Sequence, residues 1–144
     1  MMNRFSLIII YLIAFSAFAQ GQETILEVRN GSQFGMCDGY CYSESIYNKL
    51  SQTKINKAWG DTIKNPKKIK SIPTTTNDWQ NIVSSINLSA FFNLNERIGC
   101  PDCDDGGEAW VFIKTNKREK RVSFEYNRPP NEIKSLTNLL NDKQ

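Results

Sequence analysis

The chain has 144 residues, with 18 Lys and Arg against 15 Asp and Glu, and it contains no histidine. Without an imidazole, Ser-His-Asp catalysis, Cys-His catalysis and every histidine-ligated metal site are excluded. Arg4 is the only charged residue among the first 19, so residues 20–144 carry 17 basic and 15 acidic side chains. A net charge of +2 is too close to balance to attract nucleic acid, and we expect no nucleic-acid partner.

The first 19 residues contain the parts of a secretory signal peptide. A basic start at Arg4 leads into an apolar run from Phe5 to Phe18, and the segment ends as Ala17-Phe18-Ala19. The run is shorter than the roughly 20 residues that a membrane span needs, so a retained anchor is the weaker alternative. We predict a signal peptide over residues 1–19 and one exported domain over residues 20–144. We expect no stable membrane span after cleavage, and a periplasmic or secreted location.

The first half of this domain is rich in β-branched and aromatic residues. Strands are predicted over Thr24 to Arg29, Tyr40 to Tyr47 and Thr53 to Trp59, and the last two are expected to form a hairpin. Asn30-Gly31-Ser32 is a turn signal after the first strand. The basic segment Asp61 to Ile72 is interrupted by Pro66, which predicts an exposed loop or an edge strand.

The second half alternates between helix and strand patterns. Helical spacing relates the apolar residues Trp79, Ile82, Val83 and Ile86. This pattern predicts a helix over about Asn77 to Asn87, with its cap in Thr74 to Asn77. The further predictions are a short helix over Leu88 to Leu94 capped by Ser89, a hairpin of Ala109 to Thr115 with Arg121 to Tyr126, and a helix over Asn131 to Asn141. The fold class that follows is α+β, an antiparallel β-sheet with two helices packed on one face, forming a small cysteine-clamped domain.

Four cysteines lie in two short motifs, Cys37 with Cys41 and Cys100 with Cys103. An even number of cysteines in an exported chain favours structural disulfides, although four cysteines allow three pairings. Two close-spaced pairs beside glycines also suit a four-thiolate zinc site, which is the alternative. A redox dithiol at Cys100 and Cys103 is less favoured, because the motif leads into a strand and not into a helix.

The second motif continues into the acidic stretch Asp102 to Glu108. The candidates for a binding surface are Asp102, Asp104, Asp105 and Glu108, together with the nearby Trp110. Oxygen-rich loops can hold calcium, but this one lacks the spacing of a twelve-residue calcium loop. Two carboxylates can also support hydrolysis, although nothing in the sequence indicates a cleft between them. Core packing is the expected role of each tryptophan, ahead of lining a ligand groove.

Three features follow one another along the chain: the motif Phe34-Gly-Met-Cys-Asp-Gly-Tyr-Cys41, a helix led by Trp79, and the motif Gly99-Cys-Pro-Asp-Cys-Asp-Asp-Gly-Gly107. Together with Val122 to Tyr126 and Pro129-Pro130, this arrangement resembles a family of small exported bacterial proteins of unknown function. The resemblance covers nearly all of residues 20–144. It implies an exported α+β domain and adds no catalytic residue.

We therefore expect a non-enzymatic binding or inhibitor-like module, stabilised by disulfides and without a cofactor. Its partner would be a protein or a small ligand outside the cytoplasm. The alternatives are a zinc-binding protein with Cys37, Cys41, Cys100 and Cys103 as ligands and, third, a hydrolase that uses the acidic cluster.

Intact mass of the exported protein, measured with and without reduction and alkylation beside zinc analysis, separates the first two hypotheses. Two disulfides lower the mass by about four hydrogens, and alkylation then requires prior reduction. We expect this result, with no bound zinc. Four thiols that react without reduction, together with one zinc per chain, would contradict it.

Overall fold

The computed structural model describes residues 21–143. The predicted signal peptide, residues 1–19, lies outside the described residues. Within the described part of the chain, no helix is both long enough and apolar enough to cross a membrane.

The domain is built on a seven-stranded sheet with the strand order β4-β3-β2-β1-β6-β7-β5. All neighbouring strands are antiparallel except β5, which runs parallel to β7. In chain order the strands are β1 (Ile25–Gln33), β2 (Tyr40–Asn48), β3 (Ser51–Ala58), β4 (Lys68–Pro73), β5 (Arg97–Ile98), β6 (Glu108–Thr115) and β7 (Glu119–Glu125).

Two helices lie between β4 and β5, α1 (Thr76–Ser84) and the short α2 (Leu88–Asn93), and α3 (Asn131–Asp142) follows β7. Thr75 caps α1 by accepting a hydrogen bond from the amide of Asp78 at 3.1 Å. Asn87 caps α2 in the same way, through the amide of Ala90 at 3.0 Å. Such caps satisfy N–H groups that the first helical turn leaves without partners.

The core lies between one face of the sheet and the helices. Each central strand contributes alternate residues to it, as expected for a sheet with one covered face. The fully buried members include Val28, Tyr47, Val111, Ile113 and Val122 from the sheet and Ile82, Phe91, Leu136 and Leu140 from the helices. Trp79 packs in this core, so its predicted role in packing is confirmed.

The predicted α+β class is confirmed, but several local predictions are corrected. The turn signal at Asn30-Gly31-Ser32 is not a turn, because β1 continues through it to Gln33. Asn87, not Ser89, caps the short helix. The two-residue strand β5 was not predicted, since a segment so short has no periodicity to detect. The basic segment after Asp61 does form the edge strand β4, and all six of its residues are exposed.

Gly31 has a structural use that explains why its segment is extended. It lies opposite Trp110 in the pairing of β1 with β6. A β-carbon at Gly31 would collide with the indole ring of Trp110 and lie 2.6 Å from the carbonyl oxygen of Ser43. The absence of a side chain at Gly31 therefore lets the indole lie flat across β1, on the face that the helices leave open.

Aromatic and cationic side chains cover Trp110 on this open face, so that it is only 1% exposed. The ring of Tyr42 packs against it at 5.4 Å between centroids, and the guanidinium of Arg121 lies 4.2 Å from the indole centroid. Lys57 in turn lies over Tyr42, with its ammonium 4.6 Å from the ring centre. Cation–π contacts of this kind hold the open face together without a second layer of helices.

We expect Gly31→Ala to lower the free energy of unfolding by about 2 kcal/mol, because the added methyl forces the buried indole to move. Urea unfolding of residues 20–144 measures the change. Gly60→Ala is the matched control, since a β-carbon there meets nothing within 4 Å. Equal stability of the two variants would show that Trp110 does not need the space at Gly31.

Candidate functional site

The pairing of β1 with β6 brings the two cysteine motifs to the same end of the sheet. Gln33, the last residue of β1, pairs with Glu108, the first residue of β6. The loop after β1 and the loop before β6 therefore leave the sheet side by side. A β-carbon at Gly35 would lie 3.3 Å from a carboxylate oxygen of Asp102, which shows how closely they approach. We call residues 34–39 and 99–107 the cysteine end.

Each motif forms its own disulfide. Cys37 is bonded to Cys41 with 5.7 Å between the Cα atoms, and Cys100 is bonded to Cys103 with 5.5 Å. The expected disulfides are confirmed, and the pairing is local. All four sulfur atoms are used in these bonds, so none is a thiolate that zinc can bind in this state. Among residues 21–143, no three His, Cys, Asp or Glu side chains form a group that could hold a metal ion.

The loop of the second motif is a compact series of turns. The amide of Gly106 donates to the carbonyl of Cys103 at 2.9 Å, and the amide of Asp102 donates to the carbonyl of Gly107 at 3.1 Å. Asp102, Asp104 and Asp105 all have positive φ, at 63°, 52° and 56°. Aspartate tolerates this left-handed region better than most residues, because its short polar side chain adds little steric conflict there. The loop backbone therefore brings three aspartates together within four residues.

These three carboxylates are exposed to solvent. Within residues 21–143, no hydrogen bond or ion pair is formed by the side chains of Asp102, Asp104 and Asp105. Glu108 is different, since it pairs with Arg121 at 3.2 Å and accepts from the side-chain amide of Gln33 at 2.7 Å. Its charge is therefore compensated within the protein.

The prediction that Trp110 is part of a binding surface is corrected by its position. It belongs to the packed aromatic layer described above and is almost completely buried. A partner cannot reach its ring while Tyr42 and Arg121 cover it. Trp59 is the more accessible tryptophan, at 50% exposure, and its indole Nε1 donates to the carbonyl of Phe34 at 2.8 Å. This bond attaches the loop after β3 to the cysteine end.

A shallow cavity of about 390 Å³ opens beside the acidic loop. Its wall includes the second disulfide, the carboxylate-bearing Asp104 and three residues at and after the end of β7: Glu125, Tyr126 and Arg128. These three residues were not predicted as site residues, because they lie at or after the end of a predicted strand and show no motif of their own. Their role follows from the position of β7 beside the loop, which no local pattern reveals.

Glu125 anchors the loop to the sheet. One carboxylate oxygen accepts from the backbone amide of Cys100 at 3.1 Å, and the other accepts from Arg128 at 2.7 Å. The Cys100 amide, and then the Arg128 guanidinium, hold the pKa of Glu125 below its usual value. The ionised form is favoured because both partners are hydrogen-bond donors that interact better with a carboxylate than with an acid.

A comparison with protein-family models found none that matches the chain, and a search of curated proteins found no significant match. The resemblance noted from the motifs therefore stays a prediction.

We expect Glu125→Gln to destabilise the protein at neutral pH but not in acid. The pKa of Glu125 is lower in the folded protein than in the unfolded chain, where it is near 4.5. Its carboxylate therefore stabilises the fold at pH values above the unfolded pKa, and this stabilisation is lost as the pH falls through the folded pKa. Urea unfolding between neutral pH and about pH 2 measures this, and the curves of wild type and variant should converge in acid. Glu96→Gln, which removes an exposed carboxylate without an ion pair in the described residues, is the control. A difference that stays constant with pH would contradict the role given to Glu125.

Proposed function

We propose that the chain is an exported, non-enzymatic binding module and that the cysteine end is the surface it presents to a partner. Disulfides persist in oxidising compartments and are rare in the cytosol, which supports a periplasmic or secreted location. The motif resemblance to small exported bacterial proteins agrees with this proposal. The partner is a basic protein or a small cationic ligand outside the cytoplasm.

The observation that carries the proposal is the grouping of three uncompensated carboxylates in one short loop. Several carboxylates on and beside the sheet, such as Glu27, Glu108 and Glu125, are instead compensated by arginines. The three aspartates of the loop are exposed and have no such compensation within residues 21–143. A cationic group of a partner can therefore pair with them without first displacing a group of the protein itself.

The loop is also held in place before any partner arrives. The disulfide Cys100–Cys103, the turn hydrogen bonds and the contact of Glu125 with the Cys100 amide restrict its backbone. A loop that is already ordered loses less conformational entropy on binding, and more of the interaction energy remains as affinity. The adjacent cavity provides a concave surface in which a long basic side chain can lie.

The alternatives have less support. A carboxyl that transfers protons is usually placed in a cleft that shields it from water, whereas Asp102, Asp104 and Asp105 are all exposed. A hydrolase is therefore the weaker interpretation of the acidic cluster. A zinc site with all four cysteines as ligands requires that both disulfides are first reduced.

We expect Asp104→Asn with Asp105→Asn to weaken binding of a lysine decapeptide by about fivefold at low salt, because each exposed ion pair contributes under about 1 kcal/mol. Asparagine tolerates positive φ, so the loop conformation is retained. Isothermal titration calorimetry measures the affinity.

The matched control is Glu96→Gln with Asp142→Asn, which removes the same number of exposed negative charges from other parts of the surface. Its affinity for the peptide should stay close to that of the wild type. Equal losses in the two double variants would mean that the peptide responds only to net charge, and the acidic loop would not be a binding site.

A further inference from the structure

A second cavity lies between the sheet and α3, and it shares only Tyr126 with the cavity at the cysteine end. Its volume is about 340 Å³, which lies at the small end of the range for pockets that bind small molecules. The strands contribute Asn30, Ser32 and Ser43 to its wall, and α3 contributes Thr137, Asn138 and Asn141. Most of the wall is therefore formed by regular elements, and the connection between β7 and α3 adds Tyr126, Asn127 and Pro129.

The wall of this cavity is polar but uncharged. None of the thirteen described residues that line it is acidic or basic, although 23% of the chain is charged. Side-chain amides and hydroxyls provide its polar groups, while Phe124, Tyr126 and Pro129 provide apolar surface. An ionic ligand would lose its hydration here without gaining a counter-charge, so the chemistry favours a neutral one.

Asn30 gives the clearest indication that the cavity receives a ligand. It is only 5% exposed, and its amide nitrogen donates to the side-chain oxygen of Asn141 at 3.2 Å. Its amide oxygen is buried and has no hydrogen-bond partner within the described part of the chain. A buried acceptor without a partner destabilises a fold. Rotation of the Asn30 amide toward the cavity would let a ligand donate a hydrogen bond to this oxygen and would remove that cost.

We propose that this cavity binds a neutral sugar ring. Each sugar hydroxyl both donates and accepts hydrogen bonds, and each asparagine amide offers a donor and an acceptor side by side to match it. The carbon-bound hydrogens of a sugar ring form an apolar face, for which the exposed ring of Tyr126 provides a flat surface. The proposal is independent of the acidic loop, since none of the three loop aspartates lines this cavity.

The test is a titration of the isotope-labelled exported chain with glucose and with N-acetylglucosamine, followed by amide chemical shifts in nuclear magnetic resonance spectra. We expect the signals of Asn30, Asn138 and Asn141 to move, and the charged analogues glucosamine and glucuronate to bind more weakly. Methyl glycosides are included to identify the source of the sugar. If they bind as well as the free sugars, the cavity accepts the end of a glycan, and if only free sugars bind, the ligand is a free sugar.

Asn138→Ala should weaken sugar binding by about tenfold, because it removes an amide that forms hydrogen bonds in the complex. Asn138 is exposed on α3, so this change leaves the core intact. Asn77→Ala is the matched control, an exposed asparagine on α1 that does not line the cavity. Absence of shifts with every neutral sugar, equal binding of charged sugars, or an equal loss in the control would overturn the proposal. None of these results bears on the lysine peptide, so the two proposals succeed or fail separately.

Discussion

The pairing of β1 with β6 is the contact on which the rest of the structure depends. It joins an N-terminal meander of four strands to the C-terminal hairpin, across about eighty residues of chain. The indole of Trp110 over Gly31 restricts the register of this pairing, because a shift of one residue would place the ring on the opposite face. That register sets the loop after β1 beside the loop before β6. Both disulfides and the acidic turn therefore share one end of the sheet.

The two faces of the sheet are stabilised by different means. One is covered by helices and buries aliphatic and aromatic side chains in the usual way. The other keeps Trp110 dry with Tyr42 and Arg121, and Arg29 lies over Phe112 with 4.9 Å between the guanidinium carbon and the ring centre. Arginine and lysine cover apolar surface with their stems while their charges remain hydrated. Arg29, Lys57 and Arg121 thus contribute to packing on this face as well as to the charge of the protein.

Local patterns in the sequence were sufficient for most of the fold. The helical spacing from Trp79 and the alternation from Val122 predicted α1 and β7, because both signals depend on neighbours within one or two turns. The strand through Gly31 was missed, since its reason is a contact with Trp110, almost eighty residues away. The same limit applies to the sites. The acidic loop was visible as a run of residues in the sequence. The position of Glu125 and Tyr126 beside that loop, and the amide-lined cavity, form only when the strands and α3 assemble.

The local pairing of the cysteines has a consequence for how the chain matures. Each disulfide joins residues that are only three or four positions apart, so the partners meet frequently even in an unfolded chain. Correct oxidation then requires neither prior folding nor a search among distant thiols. The long-range architecture depends on strand pairing and core burial, not on covalent links. Oxidation of the cysteines and folding of the sheet can therefore occur in either order.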